Sequence, residues 1–118
     1  MEEVKMEHHS IVKSSEVTGV KVTNLSGEDL GDINEVVIDK NSGTINYLVL
    51  DFGGFLGFGN KFFAVPWQNF TYNDEEDCFV LNVDKDRLKN APGFDKDHWP
   101  DFASLSVTKP ITQFYTVN

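Results

Sequence analysis

The chain has 118 residues, with 10 Lys and Arg against 19 Asp and Glu, a formal net charge of -9 and a single cysteine. One cysteine excludes an internal disulfide and a cysteine-built zinc site, and no window approaches the run of about 18 apolar residues that a membrane span needs. The few bases are interleaved with acids, which argues against direct nucleic-acid contact and against insertion into or docking on an anionic membrane, so a single soluble, cytoplasmic domain is expected.

Residues 1–12 are polar, hold little to bury and read as a flexible N-terminal arm with no signal-peptide core. Val20 and Val22 then alternate with Lys21 and Thr23, the period of a half-buried strand, and Asn24-Leu25-Ser26-Gly27 supplies a turn. A second strand is expected over Ile33 to Ile38, rich in β-branched residues and closed by Asp39-Lys40-Asn41-Ser42-Gly43. From Ile45 to Phe52 both alternating sets are apolar, which predicts a central strand. Gly53 to Asn60 interrupts the pattern with glycines around Phe55, Leu56 and Phe58, and Lys61 to Val65 resumes it up to Pro66-Trp67. Proline cannot donate to a ladder and marks the strand end.

Thr71 and Tyr72 are set to pair with Phe79 to Val83 across the acidic tip Asn73 to Asp77. Asp84 is a candidate N-cap for about two turns of helix through Asn90, packed by Leu88 and stopped at Pro92-Gly93. Phe94, Trp99, Phe102 and Leu105 are large apolar residues in a polar tail and are expected to wrap the domain. Ile111, Phe114 and Tyr115 form one face of a short terminal helix beginning after Pro110. Five or six short strands with turns between them predict a mainly all-β small barrel or sandwich, with Leu48, Leu50, Val65 and Leu81 in its core.

Each candidate for chemistry has a plainer reading. Gly54, Gly57 and Gly59 lack the spacing of a phosphate loop and lead from strand to strand, so no helix N-terminus follows them. Asp39-x-Asn41-x-Gly43 opens like a calcium loop, but Thr44 and Leu50 stand where glycine and a bidentate Glu are required. The Asp74 to Asp77 run reads as a solvated tip, His8 and His9 lie in the arm, and Cys78 is a small packing residue. No catalytic set, cofactor site or metal site is singled out. Two groups remain: a contact patch of Phe55, Leu56, Phe58 and Trp67, and a weaker pocket of Asp95, Asp97, His98 and Trp99 between the strands and the tail.

The strings Ser15 to Val22, Gly27 to Ile33, Val37-Ile38-Asp39 and Gly43 resemble the first half of a PRC-barrel domain. Tyr47 to Leu50, Gly53 to Gly59 and Phe63-Ala64-Val65-Pro66-Trp67 are similar to the second half in its stand-alone members. Asp84 to Phe94, Trp99-Pro100 and Phe114-Tyr115 resemble the tail that those members carry. The resemblance implies a small barrel of about six antiparallel strands over residues 13–84 with a short helical C-terminal extension over 85–118. Related barrels occur in the photosynthetic reaction-centre H subunit and in a ribosome-maturation factor, where they bind protein partners and support assemblies. It therefore implies a non-catalytic protein-interaction module, not an enzyme, whose partner is a protein of basic character or a second copy in a homodimer. Two other readings stay open: a small-ligand or metal-binding protein using the pocket near His98, and an accessory factor that binds a basic ribosomal or RNA-processing protein.

Overall fold

Alternating apolar residues fold into strands where turns let them meet, and the computed structural model shows this for residues 12–53 and 60–116, the part of the chain that it describes. Among the described residues there are seven strands: β1 Lys21–Thr23, β2 Asp29–Asp39, β3 Thr44–Asp51, β4 Lys61–Pro66, β5 Phe70–Asn73, β6 Cys78–Leu81 and β7 Phe94–Asp95. They form one sheet in the order β5-β6-β1-β2-β3-β4-β7. Two helices follow the main strands, α1 Lys85–Leu88 and α2 Leu105–Thr116.

The architecture is the expected one, mainly strands with a C-terminal helix, and it differs in detail from about six antiparallel strands in a closed barrel. The sheet is open, running from β5 at one edge to β7 at the other. One pair is parallel, with Val22 opposite Phe79 and Thr23 opposite Val80. β2 takes one edge of β1, and β6, the second strand of the β5–β6 hairpin, takes the other and runs the same way as β1. The extra strand arises because the tail doubles back on β4 at Gly93. A Cβ there would lie 2.9 Å from the Phe63 ring and 3.0 Å from the Phe62 carbonyl oxygen, so glycine permits the approach.

β2 begins at Asp29, four residues before the apolar stretch that predicted it. Its polar start is held by a turn whose central residue is buried. Asn24 Oδ1 accepts hydrogen bonds from the backbone N–H of Ser26 and Glu28, while its Nδ2 donates to Glu28 Oε1 at 2.7 Å and to the Val83 carbonyl at 3.1 Å. All its polar capacity is used, as burial requires. One side chain thereby fixes the β1–β2 turn and ties it to the chain leaving β6.

β3 is an interior strand between β2 and β4, with Tyr47, Leu48, Val49 and Leu50 all buried. Directly opposed residues share a face, so Leu48 with Val65 and Leu50 with Phe63 point one way, and Tyr47 with Pro66 and Val49 with Ala64 the other. The first face shares the core with Val22, Leu30, Ile33, Leu81 and Leu88. The second meets the tail: the Phe62 ring lies 5.8 Å from Phe94 and 5.7 Å from Trp99, and Tyr47 lies 5.5 Å from Phe102.

The helices depart from expectation at their ends. α1 is a single turn, and the Glu28 carboxylate accepts the Lys85 N–H at 3.2 Å while the Asp84 side chain makes no capping bond. α2 starts before Pro110 instead of after it, because the Ser104 carbonyl accepts the N–H of Val107 and Thr108 and opens the helix there. Pro110 is exposed, so the carbonyl that its ring deprives of a partner can turn to water. Val107, Ile111 and Tyr115 recur every four residues and face inward. Leu105 does not wrap the domain but stands 79% exposed at the first helical position. No helix among the described residues is long and apolar enough to cross a membrane.

Tyr115 is buried, and its hydroxyl has no hydrogen-bond partner among the described residues. Burial raises its phenol well above the ordinary value of 10.0. Tyr115→Phe removes an unpaired hydroxyl and should stabilise the fold by about 1 kcal/mol in urea unfolding at neutral pH. The unfolded phenol ionises near pH 10.0 while the folded one stays neutral, so this residue's contribution is present below that pH and lost above it. The Phe variant should keep more of its stability between pH 10 and 11. A loss of stability at pH 7 would mean that the hydroxyl has a partner after all.

Candidate functional site

At the end of β4, Pro66 offers no N–H to continue the ladder, and the chain enters a 3-10 turn over Trp67–Asn69 before β5. Asn69 Nδ2 donates to the Tyr115 carbonyl at 3.0 Å, pinning this turn to α2. Trp67 is left 39% exposed, its ring 6.1 Å from the buried Phe79 ring. It borders a groove of about 220 Å³ lined by Ile45, Tyr47, Pro66, Thr112 and Thr116 among others. That volume is below the roughly 300 Å³ at which pockets for small molecules begin.

Phe79 is the hub of an aromatic group. Phe70 lies 5.7 Å and Tyr72 5.1 Å from its ring, both edge to face. Tyr72 is 45% exposed, so two large rings, Trp67 and Tyr72, are held on one buried ring while presenting area to solvent. The Tyr72 hydroxyl donates to Asp77 Oδ1 at 3.2 Å. Burial, the bond to Asp77 and the charges of Asp77 and Asp74 raise the Tyr72 phenol above its ordinary value. Asp77 has a φ of 52°, and Asn73 Oδ1 accepts the N–H of Glu75 and Glu76, so the acidic tip is a defined turn.

Among the residues expected to form the contact patch, Phe55, Leu56 and Phe58 lie outside the described residues. The ends of their segment are clasped by Asp51, which accepts the Gly53 N–H at 2.8 Å and the Asn60 side-chain amide at 2.9 Å. Asp51 is a polar residue at the end of an apolar strand, a signal that sequence reasoning passed over. Of the second group, Asp95 and His98 meet at 3.4 Å in an exposed turn that the His98 N–H closes by donating to the Asp95 carbonyl. Asp97 is exposed, and the Trp99 ring packs 4.9 Å from Phe94. The structure thus brings Asp95 and His98 together and turns Trp99 towards the tail's aromatic cluster. Among the described residues no three His, Cys, Asp or Glu side chains are placed to hold a metal ion.

The model of the PRC-barrel domain family matches residues 9–88. Among solved structures, the chain is similar to a putative 16S ribosomal RNA processing protein of Pseudomonas aeruginosa, at 16% identity and a TM-score of 0.46, over 64% of this chain and 45% of that one. The chain therefore spans less than half the length of that neighbour. A search of the curated proteins finds no match.

Proposed function

Because the chain belongs to the PRC-barrel domain family, we propose that it is a non-catalytic protein-interaction module whose contact surface is centred on Trp67. The observation that carries this reading is the pair of partly exposed rings, Trp67 and Tyr72, oriented by one buried Phe79. Aromatic side chains fixed in advance lose little entropy on binding and are enriched among the residues that dominate interfaces. Phe55, Leu56 and Phe58 are a second contact in this proposal, since their segment joins β3 to β4 at the end of β4 remote from Trp67. The one cysteine, Cys78, is a buried free thiol, which suits a reducing compartment such as the cytoplasm.

Trp67→Ser should reduce captured partner by about tenfold or more in a quantitative pull-down, with the unfolding midpoint little changed. Sedimentation run alongside separates a foreign partner from a second copy. If the variant captures the same proteins in the same amounts and keeps the same sedimentation, Trp67 is no part of the interface.

A further inference from the structure

The surroundings of Tyr72 specify the chemistry of what docks there. We propose that Tyr72 and Trp67, together with the carboxylates of Asp74 and Asp77, capture an arginine from a basic protein segment. This rests on the interaction reading above and names the partner's recognising group.

Both rings are set before binding, because each packs edge to face on Phe79, at 5.1 Å for Tyr72 and 6.1 Å for Trp67. Both rings are partly exposed, and an aromatic face attracts a cation through the ring quadrupole. Asp77 is held beside Tyr72, whose hydroxyl donates to its Oδ1, and its Oδ2 makes no hydrogen bond among the described residues. The ion pairs among the described residues engage Asp29, Asp86 and Asp95, so Asp74, Glu75, Glu76 and Asp77 stand together without an internal cation. Four unneutralised acids in the turn that follows Tyr72 attract a basic segment and repel a second copy of a chain with net charge -9.

Arginine fits better than lysine. Its planar guanidinium stacks on an aromatic face while its fork bonds a carboxylate, whereas an ammonium is a strongly hydrated point charge. The stacking part of this mode already operates inside the molecule, where Arg87 sits 4.5 Å over the Phe114 ring while donating to the Phe114 backbone carbonyl at 3.2 Å. Arg87 is the chain's sole arginine, so the one that reaches Tyr72 must come from elsewhere.

The test uses the full chain carrying Trp99→Phe, which leaves Trp67 as the only tryptophan, titrated with hexa-arginine and hexa-lysine peptides and followed by its fluorescence. Hexa-arginine should give a saturable change, and hexa-lysine should bind several-fold more weakly. Asp74→Asn with Asp77→Asn should weaken hexa-arginine about tenfold, and asparagine keeps the positive φ at position 77 tolerable. Tyr72→Leu should weaken it similarly. Glu35→Gln with Asp84→Asn removes the same charge from exposed sites elsewhere and should change binding less than twofold. Equal weakening by the two double variants would reduce the effect to general attraction between polyanion and polycation and overturn the assignment, as would equal binding of hexa-lysine. If Trp67→Ser abolishes partner capture while the Asp74 and Asp77 double variant leaves it intact, the interaction reading stands and the arginine assignment falls.

Discussion

Gly31→Ala is expected to cost at least about 4 kcal/mol and to leave little folded protein at 37 °C. Gly31 has a φ of 122°, and a Cβ at this position would overlap the Asp51 carbonyl oxygen and lie 3.0 Å from its carbon and 3.2 Å from Phe52 Cα. All three are backbone atoms of β3 or its continuation, so no side chain can swing aside. Relief would require β2 and β3 to part where Asp32 pairs with Asp51. Gly43→Ala is the matched comparison: its φ is 77° but nothing lies within 4 Å of the added carbon. It should cost only the backbone penalty of about 1 to 2 kcal/mol. Urea unfolding of the two variants separates steric exclusion from conformational strain, and similar costs would mean that the close approach at Gly31 can relax.

Phe63→Ala should lower stability by about 3 to 5 kcal/mol, a fall in the thermal midpoint of roughly 12 to 20 °C for a chain of this size. Phe63 is fully buried opposite Leu50, with the Phe52 ring at 5.6 Å and 90° to it. The neighbouring Phe62 makes the contrast informative, because successive residues of a strand point to opposite faces. In a sheet with one wet face, one of the two would be nearly silent. Here Phe62 is also buried, against Phe94 and Trp99. Phe62→Ala should therefore be costly too, and it should shift Trp99 emission to the red by loosening the tail. An unchanged Trp99 signal would show that the tail is held by α2 and not by its aromatic cluster.

How far the sequence could be read depended on the range of the interaction. β3 and β4 were legible because Leu48, Leu50 and Val65 sit in unbroken apolar runs, and the β5–β6 hairpin because Tyr72 and Phe79 flank an obvious turn. The start of β2 was not, because Asp29-Leu30-Gly31-Asp32 is polar and is extended only by its two neighbours. Pro110 hid the first half of α2, since its local penalty says nothing of a helix face buried through Val107 and Ile111. Asn24 read as an ordinary turn residue, and its bond to the Val83 carbonyl spans 59 positions. The Tyr72–Asp77 contact is five residues apart and becomes visible only once the hairpin register is known. The sequence puts Trp67 in a contact patch with Phe55, Leu56 and Phe58 but gives no sign that Tyr72 packs on the same Phe79 ring.

The parallel ladder between β1 and β6 has a consequence for the order in which the protein folds. The β2–β3 and β3–β4 pairs join strands adjacent in sequence, while the Thr23–Cys78 contact beside the parallel ladder closes a loop of 55 positions. Closing a longer loop costs more chain entropy before any contact rewards it, so the hairpins form early and the ladder late. During synthesis β1 emerges among the first strands, yet its outer edge must wait until residue 81 has left the ribosome. For that interval Val22 and the unpaired backbone beside it are open to the wrong strand, a vulnerability that belongs to the nascent chain and vanishes in the finished one.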